Sequence, residues 1–423
     1  MKIQKLKIKN FRGIEEKTVK LNPKFTVVIG DNGMGKSSVL HALQVSLGAF
    51  LQCLPIPASP VYRRQFRPQE RFVRWNDRLM DYEPNPELTS ITTVGILEKE
   101  EVIEWTRTML KSNTTSHNRV DTGRLIRYVD SLVEKRKHQD ALFPIVASFG
   151  TERTNAQLRK GKSAQLKRGR LEKAYLGALS PRADFNGVLE WLHNYDTSIK
   201  YKREFEGTRE AVFETIELAI PYLDDIDYNA LYGELEAFVK IDDVDLGKKT
   251  HSNMSDGLIA MLNLVAELAF RCVILNGFLG KEAIRATTGI VLIDELDMHL
   301  HPKWQRHVVS DLKKAFPNIQ FVVTTHSPFI VQSLDSDELY NLDKYADIVP
   351  KDLKIDDIAT LVMGVESPFS DKNQEQYQQA RSILEKLNFG ISENEISDDI
   401  ESITDPGLRA FMEMNKLAKG NKK

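Results

Sequence analysis

The stretch that decides the fold is a short apolar run that leads directly into a glycine-rich loop. It reads Phe25-Thr-Val-Val-Ile29 and then Gly30-Asp-Asn-Gly-Met-Gly35-Lys36-Ser37, which satisfies the pattern G-x-x-x-x-G-K-[ST]. The apolar run predicts a strand, and the residues after the loop predict a helix over 38–49. A strand, a glycine-rich loop and a helix in this order indicate a phosphate-binding loop in an α/β domain.

The loop supplies the groups that bind phosphate. Glycines let backbone N–H groups wrap phosphate oxygens, the Lys36 ammonium can reach the β and γ oxygens, and the Ser37 hydroxyl can ligate Mg²⁺. A chance glycine turn is the alternative, and the agreement of pattern, strand and helix disfavours it. The phosphate-binding residues that this pattern predicts are Gly30, Asp31, Asn32, Gly33, Gly35, Lys36, Ser37 and Ser38.

Two carboxylates stand at the end of a second apolar strand. Gly289-Ile-Val-Leu-Ile293 is followed by Asp294 and Glu295, the arrangement of a Walker B strand. We expect Asp294 to hold Mg²⁺, directly or through water, and Glu295 to orient and polarise the attacking water. A strand that merely ends in an acidic loop is the alternative, and the phosphate-binding loop upstream makes it the weaker one.

A third polar segment, Asn253-Met254-Ser255-Asp256-Gly257, opens an apolar-striped helix predicted over 256–276. From composition alone, the favoured interpretation is that Ser255 or Asp256 is the N-cap of this helix. The functional alternative is a second anion site at a helix N-terminus. Since the first loop already binds a nucleotide, this second site would be most useful for the γ-phosphate held by another subunit.

Three histidines follow the later strands. His326 comes after the predicted strand 320–324 and would emerge at the same sheet edge as Asp294 if the two strands are parallel neighbours. There it could hydrogen-bond a γ-phosphate, although a lone histidine is more often structural. His299 and His301 suggest a metal site, but side chains two positions apart would point in different directions on a helix, and no third ligand is evident.

Composition limits the location and the partners of the chain. Its 423 residues include 58 Lys plus Arg against 60 Asp plus Glu, so a nucleic-acid partner would need a local basic patch. Cys53 and Cys272 lie far apart, which argues against a disulfide framework and fits a reducing compartment. Because we find neither a signal-peptide pattern nor a membrane-spanning run of about 18 apolar residues, we expect a cytoplasmic protein without membrane contact.

The pattern divides the chain into four predicted regions. Prolines and short strands mark an insertion after the first helix, with strand candidates at 91–96 and 102–108, and the tail carries six acids between residues 393 and 405. The predicted regions are 1–150, an N-terminal lobe with the phosphate-binding loop and an inserted segment; 151–250, a basic loop and a helical insertion; 251–345, the lobe with the Ser255 helix, Asp294 and His326; and 346–423, a helical, acidic tail.

Taken together, the motifs resemble the ABC-type ATPases of the SMC/RecF/OLD kind over about residues 1–340. More narrowly, they look like the standalone PtuA-like ATPases of Septu and of some retrons, which are anti-phage defence systems. The segments that carry the resemblance are Asn10-Phe-Arg-Gly13, the phosphate-binding loop, Met254-Ser-Asp-Gly257, the run from Ile290 to Arg306 with its His-Leu-His-Pro-Lys-Trp-Gln-Arg end, and Phe321-Val-Val-Thr-Thr-His-Ser-Pro328.

The resemblance implies an ATPase head that dimerises around two ATP molecules. Its fold would be α/β, with a mainly parallel sheet flanked by helices, an N-terminal antiparallel β region and an inserted α subdomain. Asp297 would lie in a loop that crosses the dimer interface, and Arg12 would contact the nucleotide. Within one subunit, Lys36, Ser37, Asp294 and Glu295 would act on ATP and Mg²⁺. Ser255, Asp256 and Gly257 would contact the ATP bound by the other subunit. His326 would sense the γ-phosphate.

The sequence also departs from that family. The helix signature is Met-Ser-Asp-Gly rather than Leu-Ser-Gly-Gly, and Glu152 stands where a glutamine is expected after the middle strand. The segment after His326 is too short for an appended nuclease domain. The resemblance therefore implies a slow ATPase that is not itself a nuclease and that regulates an effector supplied in trans, such as an HNH nuclease.

Two other functions stay open. A RecF-like repair ATPase would clamp DNA through basic faces, and a transporter subunit is disfavoured by the N-terminal Phe-Arg-Gly strand and the altered signature. Contact with DNA or with a retron nucleic acid would use local patches, for which a solvated loop or a protein interface is the alternative. The candidate patches are the stretch 153–173 and the arginines at positions 63, 64, 67, 71, 74 and 78.

Overall fold

The computed structural model describes residues 1–97, 101–117, 119–138, 140–154, 169–241, 244–343 and 349–365, with a few positions between 382 and 414. Residues 1–353 form one compact unit and residues 354–423 belong to a second. The predicted acidic tail at 393–405 and most of the basic stretch 153–173 lie outside the described residues.

Fourteen strands are seen in the described part of the chain, and they form four sheets. Those predicted from sequence have nearly the predicted bounds. The strands are β1 Lys2–Phe11, β2 Ile14–Lys20, β3 Phe25–Ile29, β4 Val73–Asn76, β5 Asp81–Pro84, β6 Ser90–Ile96, β7 Val102–Thr108, β8 Ile145–Phe149, β9 Leu223–Asn229, β10 Glu234–Ile241, β11 Val244–Thr250, β12 Gly289–Ile293, β13 Ile319–Thr324 and β14 Leu339–Asn341.

Helices surround these sheets. Between β12 and β13 there are two helices, with a break at Arg306 and His307. The α-helices of the described residues are α1 Lys36–Cys53, α2 Arg119–His138, α3 Arg170–Tyr175, α4 Phe185–Lys200, α5 Thr208–Ala219, α6 Asp256–Asn276, α7 Ala283–Ala286, α8 Pro302–Gln305, α9 Val308–Ala315, α10 Pro328–Gln332 and α11 Ile355–Asp357.

The central sheet is parallel and confirms the predicted α/β class. Its strand order is β14-β3-β13-β12-β8, and each pairing is parallel. Every residue of β3, β8, β12 and β13 is buried, as expected for strands covered on both faces. All five strands therefore end at the same edge.

A second sheet is antiparallel, as predicted for the N-terminal region, and its order is β2-β1-β6-β7. The strands β6 and β7, which the sequence assigned to an inserted segment, thus complete this sheet: Ile8 of β1 faces Ile91 of β6. Alternate residues of β6 and β7 are buried, including Ile91, Ile103 and Trp105. The inserted segment shares the core of the N-terminal region because its apolar face packs there.

The helix α6 is an apolar helix in the core of the molecule. Nearly all of its residues are buried, and its buried Glu267 pairs with Arg271, whose guanidinium also donates to the carbonyl of Leu176 (2.8 Å). By length and composition the segment Asp256–Ala286 is apolar enough to cross a membrane, although no such segment was predicted from the sequence. However, 94% of its most apolar window is buried inside the molecule. A helix that is apolar on all sides is typical of a core.

The described part of residues 151–250, predicted to be a basic loop and a helical insertion, contains both helices and strands. The helices α4 and α5 fall within the predicted helical stretch, whereas β9, β10 and β11 form a three-stranded antiparallel sheet that was not predicted. Leu235, Ala237 and Val239 of β10 alternate with more exposed residues and bury one face of this small sheet.

Candidate functional site

Four loops with the predicted site residues leave the parallel sheet at one edge. The loop after β3 begins with Gly30, that after β8 with Gly150, that after β12 with Asp294, and that after β13 with Thr325. Because β12 lies between β8 and β13, its two carboxylates are flanked by loops on both sides. Ligands of open parallel sheets bind at this carboxyl edge.

The glycine-rich loop folds around the Lys36 side chain. Its Nζ donates to the carbonyl oxygens of Gly30 (2.7 Å) and Asp31 (3.1 Å). Lys36 is 8% exposed; burial lowers the pKa of its amine, and nearby carboxylates, led by Asp343, oppose that shift. The ammonium is therefore held at the position from which it can reach phosphate oxygens in the loop.

Asp343, which follows β14, also supports the loop and was not predicted. Its Oδ2 accepts the backbone N–H of Asp31 at 2.7 Å. No sequence pattern marks this carboxylate, because it lies 312 positions away from the loop that it contacts.

The rest of the glycine-rich loop is open to solvent. Asp31, Asn32 and Gly33 are exposed, whereas Ser38 is buried in the first turn of α1. Gly35 has a φ of +99°, a conformation that favours glycine, and a Cβ there would lie 3.3 Å from the Ile14 side chain. The first N–H groups of α1 lack acceptors within the helix and are suited to bind an anion.

Ser37 and Asp294, the two predicted metal ligands, come from two different loops and lie close together. The Ser37 Oγ lies 3.4 Å from the Asp294 Oδ1, and the same Oδ1 accepts a hydrogen bond from Thr324 Oγ1 at 2.5 Å. A hydroxyl and a carboxylate are the oxygen ligands that Mg²⁺ prefers beside phosphates. The residues present therefore fit a magnesium ion that is shared with a nucleotide.

Glu295 adopts an uncommon backbone conformation. Its φ is +51°, in the left-handed region that non-glycine residues rarely occupy. Its N–H donates to Thr324 Oγ1 at 2.8 Å, and its carbonyl oxygen accepts a bond from Arg153 Nη2 at 2.7 Å. The carboxylate is half-buried at the sheet edge, where it can act on a water beside Asp294.

The loop after Glu295 is tied to the loop after β13 within the same chain. The Asp297 Oδ1 accepts bonds from Thr325 Oγ1 (2.6 Å) and from the His326 backbone N–H (3.2 Å). The Asp297 carboxylate, which the resemblance placed across a dimer interface, is thus bonded to its own subunit. The His326 side chain is exposed at the sheet edge, on the strand next to that of Asp294.

The N-terminus of α6 lies beside this loop. Ser255 occupies the N-cap position, but its side chain makes no capping hydrogen bond, and both Ser255 and Asp256 are exposed. Gly257 packs closely against its own chain: a Cβ there would lie 2.4 Å from the carbonyl oxygen of His299. The helix therefore has the predicted N-cap residue without the side-chain bond that usually accompanies it.

Two other residues discussed from the sequence have local partners. His301 accepts a hydrogen bond from the Lys303 backbone N–H at the start of α8, which favours the structural interpretation over a metal site. Glu152 pairs with Arg182 at 2.6 Å on the surface. Among the residues that the structure describes, no group of three or more His, Cys, Asp or Glu side chains could hold a metal ion.

Arg12 lies in the turn between β1 and β2. Its φ is +52°, and its N–H donates to the Glu70 carbonyl oxygen at 2.8 Å. Ile14, two residues further on, packs beside Gly35 of the glycine-rich loop. The turn is thus near that loop, but no side-chain contact joins Arg12 to it in the described part of the chain.

Several arginines of the candidate basic patches are engaged with their own chain. Arg64 is buried and pairs with Glu70, and Arg74 pairs with Glu15 on the surface. Arg71 donates to the carbonyl oxygen of Leu110 at 3.0 Å. These contacts weaken the prediction of a phosphate-binding surface, since guanidinium groups already paired are less available to a nucleic acid.

Fold and site together define a P-loop ATPase, with a phosphate-binding loop and a Walker B carboxylate pair on one parallel sheet. The chain belongs to the family described as "AAA domain, putative AbiEii toxin, Type IV TA system", whose model matches residues 109–332, more than half of the chain. A second family model, "AAA ATPase domain", matches residues 1–61. The first match contains Asp294, Glu295 and Ser255, and the second contains the phosphate-binding loop.

Similar proteins come from two named systems. The chain is 26% identical over 373 residues to "Retron Vc95 probable ATPase" of Vibrio cholerae serotype O1 biovar El Tor, which covers 74% of this chain and 68% of that protein. It is 23% identical over 412 residues to "Retron Ec83 probable ATPase" of Escherichia coli, covering 81% and 71%. With "Septu protein PtuA" of Bacillus mycoides (strain KBAB4) it shares 24% over 344 residues, 80% of this chain but 40% of that protein.

Among solved structures, the chain is similar to the SMC head in "Crystal structure of the SmcHead bound to the C-winged helix domain of ScpA". The TM-score is 0.48 at 17% sequence identity, and the match covers 81% of this chain and 94% of that one.

Proposed function

We propose that this ATPase is a nucleotide-dependent switch of a cytoplasmic anti-phage defence system. Two copies would close around two ATP molecules, and the nucleotide state would control an effector nuclease supplied in trans. The names of the similar proteins, two from retrons and one from Septu, support the defence context.

One observation supports the switch: the N-cap residue of α6, Ser255, is exposed and makes no side-chain capping hydrogen bond within its own chain. Lys36, Ser37, Asp294 and Glu295 are at the edge of the parallel sheet. In the described part of the same chain, the Ser255 side chain does not cap the N-terminus of α6. A helix N-terminus attracts anions, so the phosphates bound by one copy would suit the α6 end of the other.

Within one copy, the sheet edge would carry the chemistry. Backbone N–H groups of residues 33–38 would bind the phosphates, and Lys36 would move from the carbonyls of Gly30 and Asp31 to phosphate oxygens. Mg²⁺, held by Ser37 and Asp294, would neutralise developing charge. Glu295 would orient the attacking water, and His326 would hydrogen-bond the γ-phosphate.

The defence role is tested by infecting cells that carry this chain together with its neighbouring genes. We expect protection from phage, and we expect Lys36→Ala in the chain to remove it. Effector toxicity that appears only when the chain is inactivated would show that the chain restrains a nuclease. Full protection with the Lys36→Ala variant would contradict a nucleotide-dependent switch.

A RecF-like repair role predicts different behaviour. In that case ATP would strengthen binding to duplex DNA, with an affinity that falls steeply as salt rises. The same purified protein, titrated with DNA at several salt concentrations with and without ATP, separates the two functions. Salt-sensitive, ATP-dependent DNA binding without any protection from phage would replace the defence proposal with repair.

A further inference from the structure

We propose that Arg153 is a positioning residue for ATP hydrolysis, because it fixes the backbone of Glu295 and so sets where that carboxylate points. The inference rests on the proposed role of Glu295 as the group that orients water. Arg153 lies in the short turn Thr151–Thr154, directly after β8. In the sequence, Arg153 is distinguished only as the first residue of a basic stretch.

The Arg153 guanidinium bridges the two residues of the Walker B pair. Its Nη1 donates to the Asp294 carbonyl oxygen at 2.8 Å and its Nη2 to the Glu295 carbonyl oxygen at 2.7 Å. A weaker bond from Nη1 reaches the Gly150 carbonyl oxygen at 3.2 Å. The planar fork of an arginine can bridge adjacent carbonyls in this way, whereas the single ammonium of a lysine cannot hold both in the same geometry.

Glu295 needs such support because of its conformation. A non-glycine residue at φ +51° persists only where the surrounding structure holds it. The Thr324 hydroxyl accepts the Glu295 N–H at 2.8 Å, and Arg153 binds the Glu295 carbonyl. The peptide groups on both sides of the residue are therefore fixed, and the loops after β8 and β13 together determine its direction.

Arg153 is a charged side chain that is buried and donates its hydrogen bonds to backbone carbonyl oxygens. The residue is 1% exposed, and it forms no ion pair with any described carboxylate within salt-bridge distance. Burial lowers the pKa of its guanidinium to about 10, against the opposing effect of Asp297, Glu295 and Asp294, so it stays charged at neutral pH.

The test compares Arg153→Met with Arg153→Lys in the full-length protein. Arg182→Met is the matched control, because Arg182 pairs with Glu152 of the same turn but is exposed. For Arg153→Met we expect kcat to fall about 10–100-fold, the usual cost of removing a group that orients a reacting one, while ATP affinity changes less than about twofold. Arg153→Lys should recover part of kcat, and Arg182→Met should match the wild type.

A double variant separates positioning from a general structural role. If Arg153 acts through Glu295, Arg153→Met should cause little further loss of turnover in a Glu295→Gln background. Equal losses in both backgrounds, or a loss of ATP affinity as large as the loss of kcat, would overturn the inference. Should Arg153→Met not fold, Arg153→Lys in the two backgrounds decides the question by the same criterion.

The two proposals fail in different ways. If Glu295→Gln hydrolyses ATP at the wild-type rate, the proposed role of Glu295 is wrong whatever Arg153 does. If Glu295→Gln is slow but both Arg153 variants turn over normally, only the positioning role is wrong.

Discussion

The edge of the parallel sheet and the N-terminus of α6 are both candidate phosphate sites, but they differ in how far their own chain satisfies them. At the sheet edge, Lys36, Asp294 and Asp297 are each bonded within the subunit. At the helix end, Ser255 is exposed and its side chain makes no capping bond. The side chains at the sheet edge are thus bonded within their own chain, whereas the first N–H groups of α6 receive no hydrogen bond from the Ser255 side chain.

The strongest test of the sheet edge is Lys36→Ala. We expect ATP binding to fall below detection, because the variant removes the ammonium that faces the phosphates and its bonds to the loop carbonyls. Titration calorimetry with ATP measures the effect, and Lys20→Ala, at the exposed end of β2, is the control. Normal affinity for ATP would mean that the loop around Lys36 does not bind the phosphates, and the sheet edge would no longer be a candidate phosphate site.

The next largest effect is expected from Glu295→Gln. ATP should still bind, but phosphate release should slow by about 10²–10⁴-fold, the usual contribution of a general base. Light scattering in the presence of ATP should then show an accumulated dimer. Glu282→Gln, at an exposed position before the start of β12, should behave as the wild type. Turnover that does not change would mean that another group activates the water.

Ser255→Arg tests the other half of the comparison directly. A long cation at the exposed N-cap should block the approach of a second copy, so ATP-dependent dimerisation should be lost while the affinity of the monomer for ATP is kept. The control is Ser310→Arg, an equally exposed serine on α9. If the variant monomer instead loses ATP binding, the α6 end acts within its own subunit.

The smallest expected effect concerns the point where the two regions meet. In Gly257→Ala the added methyl group would lie 2.4 Å from the His299 carbonyl oxygen, so the helix or the loop after Glu295 must shift. We expect a loss of about 1–3 kcal/mol in the free energy of unfolding, as for other overpacked sites. Denaturant unfolding measures it, with Gly13→Ala as control, since a Cβ there meets nothing within 4 Å. Unchanged stability would mean that this contact is loose.

Much of the fold could be predicted because its elements carry strong local patterns. The helix α6 has the predicted bounds, Asp256–Asn276, since its stripe of apolar residues continues without interruption. The helix α2, Arg119–His138, was missed because it is mostly polar, although Leu125, Val129 and Leu132 bury one face. Strands β9 to β11 were missed because they alternate weakly and carry many charges.

In the candidate site, too, some residues could be predicted from the sequence and others could not. The glycine-rich loop, the Asp294–Glu295 pair and the start of α6 were recognised because each is a short run in which neighbouring residues determine the local chemistry. Arg153 gave no such signal, because an arginine in a basic stretch has the same sequence appearance whether it is solvated or buried.

The sequence by itself determined the strand–loop–helix unit around Lys36, the buried strand that ends at Asp294 and the apolar length of α6, since each depends on spacing within a few residues. Only the tertiary structure decided that Arg153 supports Glu295, 142 positions away, and that Asp343 supports the loop at Asp31, 312 positions away. Such contacts depend on which strands become neighbours in the sheet, and that order is set by packing of the whole core rather than by any local pattern.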